Sequence, residues 1–177
     1  MLYLSPAQFQ TMADGAIAAY PQECCGLLLG QILADDHRQA TEIRPVANAW
    51  TPELELEHQS HFSPGMIEAH SPQDRFAIDP RDLLKAQKEA RAQGWQIIGI
   101  YHSHPDHPAV PSERDRQSAW PDYSYLILSV EGGAIADLQS WRLNNHNQFT
   151  PEPWQLRPAP RASFLTQIPQ PPPFTQK

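Results

Sequence analysis

Trp95 to Asp115 reads WQIIGIYHSHPDHPAVPSERD, and this stretch decides how the rest of the chain is understood. Its first part, Trp95 to Tyr101, is a β-rich run that leads directly into His102-Ser103-His104. On a strand alternate side chains share a face, so His102 and His104 point the same way. Two imidazoles placed like this can share one ion. Neutral imidazole nitrogen binds zinc at about 2.0–2.1 Å, a carboxylate suits the third position, and a fourth position left to water marks a catalytic site. Asp115 supplies the carboxylate if the loop Asp106 to Pro111, stiffened by Pro105, Pro108 and Pro111, folds back over the strand end. Ser112 followed three residues later by an acid is also a helix start, and such a cap would fix the turn that presents Asp115. The spacing H-x-H-x7-S-x2-D arises on the order of once in a thousand shuffled chains of this composition. The competing readings are a solvent-facing histidine pair and a helix cap with no further purpose.

Working outward, Asp79-Pro80 opens a helix whose one side carries Leu83, Leu84, Gln87 and Ala90, with Gly94 as its C-terminal stop. An earlier helix begins at Ser5-Pro6, where proline loses nothing because its N–H would have no partner. Phe9, Met12, Ala13, Ala16, Ile17 and Tyr20 recur there at helical spacing until Pro21. Cys24 to Leu33 is an apolar run of the kind a strand buried on both faces shows. Further strands are predicted near Thr41 to Ala47, over Tyr123 to Val130 and over Ala134 to Leu143, the last two joined by a turn at Glu131-Gly132-Gly133.

Periodicity fails from about Trp50 to Arg75, which predicts a long insertion loop; its alternating Glu53 to Glu57 has the period of a strand with one solvated face. From Pro151 the chain is proline-rich and predicts an extended tail, 151–177, behind a domain of residues 1–150. Pro169 to Pro172 fits P-x-x-P within that tail.

The bulk numbers bound the partners. At 177 residues with 40% hydrophobic content, the chain can bury one real core. A net charge of -7 repels phosphate backbones and argues against nucleic acid. No apolar run approaches a membrane span, and the N-terminus lacks the basic start and long apolar stretch of a signal peptide. The two cysteines, Cys24 and Cys25, are neighbours and make no disulfide framework, so the expectation is a reduced, cytoplasmic protein.

A catalytic zinc needs a base beside it. Glu23 stands at the mouth of the apolar run Cys24–Leu33, where a carboxylate is partly desolvated and its pKa rises; a solvated turn residue is the plain alternative. Pro21-Gln22-Glu23-Cys24-Cys25-Gly26-Leu27-Leu28-Leu29-Gly30, Phe76-Ala77-Ile78-Asp79-Pro80 and the His102–Asp115 stretch together resemble the JAMM/MPN+ metalloproteases, in their short bacterial branch. The resemblance covers roughly Ser5 to Leu143. It implies an α/β fold, a single-domain three-layer-like sandwich related to the cytidine deaminases, with a mixed curved sheet flanked by helices. It implies one Zn2+ per chain held by His102, His104 and Asp115, Glu23 as general base and later acid, and Ser112 steadying the oxyanion. Ser103 would face away and help pack or orient. The family's activity implies hydrolysis of a peptide or isopeptide bond after the C-terminal Gly-Gly of a ubiquitin-like or sulfur-carrier protein. In that family a segment inserted before the second helix pairs with the substrate tail, and Trp50 to Arg75 matches its place.

Two other functions compete: a non-catalytic MPN-type protein-binding scaffold, and a zinc deaminase, whose H-x-E and P-C-x-x-C signature is missing here. Outside the motif, His107 reads as loop surface, His58 and His61 as solvated loop histidines, and Cys25 as a small buried hydrophobe.

Overall fold

The computed structural model describes residues 1–54 and 70–158. Eight strands form one mixed sheet in the order β7-β6-β5-β4-β2-β3-β1-β8. They are β1 (Leu2–Leu4), β2 (Cys25–Ile32), β3 (Arg38–Val46), β4 (Gln96–Pro105), β5 (Ser124–Glu131), β6 (Ala134–Leu143), β7 (Phe149–Pro151) and β8 (Trp154–Leu156). β4 runs parallel to β5, and β1 runs parallel to both β3 and β8; the other pairs are antiparallel. The helices are α1 (Pro6–Ala19), α2 (Pro80–Ala92) and the short α3 (Glu113–Ser118).

The predicted helix starts hold. Ser5 and Gln8 form a reciprocal cap at α1, and the Asp79 side chain accepts the Arg81 N–H at the start of α2. α2 ends at Ala92, two residues before Gly94, whose φ of 73° is the left-handed conformation that lets the chain turn back towards β4. Of the predicted α1 stripe, Met12, Ala13 and Ala16 are buried, whereas Ile17 is exposed.

Two cores flank the sheet. Leu28, Ile98, Tyr101, Leu126 and Leu128 pack with Met12 and Ala16 of α1, while Leu27, Leu29 and Ile97 pack with Ala86 and Ala90 of α2. This is the expected single-domain α/β arrangement of helix, mixed sheet and helix.

The sheet is strongly curved. β7 and β8 lie at its opposite edges, yet only Glu152 and Pro153 separate them in the chain. The three steps from Pro151 to Trp154 span no more than about 11 Å, far less than the width of a flat eight-stranded sheet, so the edges must curl towards one another. α1 contacts β3, β4, β5 and β6, which places it on the concave side. In the seam, the buried Arg38 donates to Ser124 Oγ (3.1 Å) and to the Asp122 carbonyl (2.9 Å), and lies 3.9 Å from the Glu152 carboxylate. Ser140 Oγ donates to the same carboxylate at 2.8 Å.

These strands correct the sequence reading of Pro151 onwards as an extended tail. Residues 149–157 belong to the sheet: β8 pairs with β1, and the Arg157 N–H donates to the Leu4 carbonyl at 2.7 Å. Proline is tolerated because these are edge strands. The P-x-x-P segment, His58, His61 and most of the Glu53–Glu57 alternation lie outside the described residues.

β4 also departs from simple alternation. Leu28 pairs with Gly99 but Leu29 pairs with Ile97, so Ile98 is an extra residue, a bulge. Ile97 and Ile100 consequently pack on the α2 side, and Ile98 and Tyr101 on the α1 side. The bulge resets the face on which every later β4 side chain emerges.

Candidate metal centre and active site

β4 delivers His102 and His104 to the end of a cavity of about 1320 Å³. His102 is buried and His104 nearly so, which removes the reading of a solvent-facing pair. α3 delivers Asp115 to the same place. Ser112 caps that helix: its Oγ donates to Asp115 Oδ2 (2.7 Å), its N–H donates to the same oxygen (2.6 Å), and Oγ accepts the Asp115 N–H (3.1 Å). The cap and the presentation of Asp115 are therefore one device, in which Ser112 holds Oδ2.

Three ligand side chains converge. His102 Nε2 and His104 Nε2 are 3.0 Å apart, Asp115 Oδ1 is 3.4 Å from His102 Nε2, and Asp115 Oδ2 is 3.8 Å from His104 Nε2. Ligands about 2.0–2.1 Å from one tetrahedral ion lie roughly 3.3 Å from each other. The observed separations straddle that value, and two imidazoles with one carboxylate are a donor set that suits zinc.

The tautomer of His104 agrees with this use. His104 Nδ1 donates to the Pro108 carbonyl at 2.9 Å, which in the neutral ring leaves the Nε2 lone pair facing the cluster. Burial pushes His102 down to about 4, so its ring is neutral and able to ligate. His102 Nδ1 is buried without a hydrogen-bond partner; its ring is instead stacked on Phe76, with centroids 4.5 Å apart. Burial alone would raise the Asp115 carboxyl, but His102, Ser112 and His104 outweigh it and hold the group below the usual carboxylate value.

Glu23 lines the same cavity, just ahead of β2, and is only 7% exposed. Burial, reinforced by the negative charges of Asp115 and Asp74 and opposed by Arg75, raises its carboxyl to about 9. The plain alternative, a solvated turn residue, is thereby removed. Ser103 faces away from the ligands as expected and is fully buried; its Oγ accepts the Cys24 N–H at 2.9 Å, and its own N–H donates to the Cys24 carbonyl at 3.0 Å. These bonds tie the Glu23-bearing segment to the strand that carries the histidines.

Cys25 is buried, with its thiol pushed up to about 12 chiefly by burial, and behaves as a small hydrophobe. His107 is exposed at the cavity rim. The apolar wall of the cavity includes Ile78, Leu83, Ile100 and the stacked pair Trp120 and Tyr123. Sequence reasoning had no signal for the Phe76 stack, because the partners lie in different segments.

The family model for prokaryotic homologs of the JAB domain matches residues 5–144. The chain belongs to this family. Its JAB-domain relatives include the desampylase of Haloferax volcanii, 32% identical over 124 residues, which are 70% of this chain and 73% of that protein. A probable TtuB-protein conjugate cleaving protease of Thermus thermophilus is 42% identical over 62 residues, 35% of this chain and 42% of that one. The solution structure of a Desulfitobacterium hafniense protein superposes with a TM-score of 0.68 at 31% identity, covering 89% of this chain and 94% of that one.

Proposed function

We propose that this JAB-domain protein is a zinc-dependent peptidase or isopeptidase that cuts after the C-terminal Gly-Gly of a ubiquitin-like or sulfur-carrier protein. The observation that carries the reading is the spacing of His102, His104 and Asp115 for one tetrahedral ion in a cavity that also holds the buried Glu23. The names of the Haloferax and Thermus relatives support the substrate class, since both describe removal of a conjugated protein.

His102, His104 and Asp115 would hold the ion. Bound there, Zn2+ would act as a Lewis acid and bring the pKa of a bound water down to about 7. Glu23 accepts the proton of the attacking water as general base and returns it to the leaving amine as general acid. Its desolvated surroundings favour the protonated form that the second step needs. The Ser112 N–H keeps Asp115 oriented through Oδ2, so the single hydroxyl proton, at the cavity lining, can turn from Oδ2 to steady the charge that develops on the attacked carbonyl. The apolar wall near Trp120 and Tyr123 excludes water from the scissile bond. The cytoplasm, where such carriers remain unoxidised, is the setting we assign.

The test uses the zinc-loaded protein and a ubiquitin-like protein joined through its Gly-Gly to a reporter, with products weighed by mass spectrometry. Cleavage after Gly-Gly is expected, together with a loss of about 10²–10⁴-fold in Glu23→Gln at unchanged zinc content. A fully active Glu23→Gln enzyme would assign the base elsewhere, and an inert wild type would leave the scaffold reading in possession.

A further inference from the structure

Asn48, half-buried just beyond β3, uses every hydrogen-bonding position of its side chain on backbone groups. Nδ2 donates to the Glu23 carbonyl at 3.2 Å and to the Arg75 carbonyl at 2.8 Å. Oδ1 accepts the Trp50 N–H at 3.0 Å and the Ala77 N–H at 3.1 Å. A carboxamide offers two N–H donors and two oxygen lone pairs, so none is left over. With two carbonyls at one end and two amides at the other, only one orientation of the amide satisfies all four.

The segments so joined are those that bear on the chemistry. One contains Glu23, which precedes β2 and has no ladder of its own. The second, residues 75–77, carries Phe76, whose ring lies on His102. A further bond, Glu23 N–H to the Pro72 carbonyl at 2.8 Å, ties Glu23 to the chain just ahead of that clasped segment. Among the described residues no side chain hydrogen-bonds the Glu23 carboxyl, so its backbone ties decide where the carboxyl stands. Asn48 supplies one of these directly, the Pro72 bond comes from the chain just ahead of the segment it clasps, and Ser103, through Cys24, supplies the third.

We propose that Asn48 is a positioning residue for the hydrolysis, fixing Glu23 relative to the His102–His104–Asp115 cluster by bracing its backbone against the Phe76 segment. The inference rests on the hydrolase reading above. Asn48 is itself neither a ligand nor a cavity-lining residue, so its effect has to pass through the segments it joins, of which the Glu23 segment carries the base. Displacing a catalytic group by about 1 Å costs on the order of 100-fold in rate.

The experiment measures kcat, KM, bound zinc and Tm for Asn48→Ala and Asn48→Asp, each in the wild-type and Glu23→Gln backgrounds, on the Gly-Gly reporter fusion. Asn48→Asp is nearly isosteric and keeps both bonds accepted by Oδ1, but loses the donation to Glu23 and Arg75. It therefore remains informative where Asn48→Ala fails to fold. Both variants are expected to lose about 100-fold in kcat, with KM changed less than about twofold and one zinc per chain retained. In the Glu23→Gln background, the same substitutions should cost less than about twofold, because interacting residues are not additive. An equal loss in both backgrounds, a rise in KM alone, loss of zinc, or an Asn48→Asp enzyme with full kcat would each overturn the proposal. A zinc-loaded wild type that cleaves nothing would overturn the hydrolase reading first, and this inference with it.

Discussion

Replacing Glu23 by glutamine should make the zinc-free protein more stable at neutral pH, even as it removes activity. Unfolded, the Glu23 carboxyl titrates near 4.5; in the native cavity it holds its proton to about 9. Between those values the native state binds a proton that the unfolded chain lacks, so stability falls as pH rises. Each pH unit in the interval removes about 1.4 kcal/mol. From 4.5 to 7 this reaches roughly 3 kcal/mol, and it grows until Glu23 ionises in the native state. Glutamine has nearly the same shape and no charge to desolvate, so it escapes the penalty. For a domain of this size the gain corresponds to a Tm higher by roughly 6–12 °C at pH 7. The assay is urea or thermal unfolding of both proteins in chelator from pH 4 to pH 9. The two curves should meet below pH 4.5 and diverge above it, and zinc should narrow the gap because a nearby cation favours the carboxylate. Parallel curves across the whole range would refute the claim that Glu23 is held protonated by its burial.

His104→Ala should reduce bound zinc from about one per chain to near zero by elemental analysis, since two ligands cannot enclose the ion; normal occupancy would remove the assignment. Ser112→Ala removes one of the two hydrogen bonds on Asp115 Oδ2 together with the cap on the Asp115 N–H, and should weaken zinc binding by about 10–100-fold in chelator competition, the usual cost of losing a group that orients a ligand. Arg38→Ala leaves the buried Glu152 with only the Met1 ammonium, 3.8 Å away, as counter-charge and should cost up to about 3–5 kcal/mol in urea unfolding, whereas a loss below about 1 kcal/mol would show that Arg38 does not hold the seam electrostatically.

The centre was legible because its signals are local. His102 and His104 are two residues apart on a strand, and Ser112 and Asp115 form a capping pair, so short-range geometry alone places each pair. Glu23 could be singled out from the apolar run behind it, although its partners across the cavity could not. What escaped has no local signature. β1, β7 and β8 are three residues each, too short to display a period, and exist only because distant strands offer them edges. Proline-rich sequence around Pro151 and Pro153 masked two of them, since proline excludes a central strand but not an edge. Arg38 reads as a surface residue until the curl of the sheet brings Glu152 and Ser124 to it. Asn48 is one of many loop amides in the sequence, and its role depends on three segments that only the fold assembles.

The extra residue at Ile98 bears on how such a site can be gained or lost. Removing one residue there would restore regular alternation along β4 without altering a single ligand. The pairs Leu29–Ile97 and Leu28–Gly99 would then be consecutive, so His102 and His104 would keep the face of Ile100 and still look into the cavity. Pairing with β2 and β5 could persist through such a change. Straightening the bulge with Ile98 kept would instead slip the register by one, turning Tyr101 and Ser103 to the cavity and His102 and His104 into the packing around α1, with every motif residue still in place.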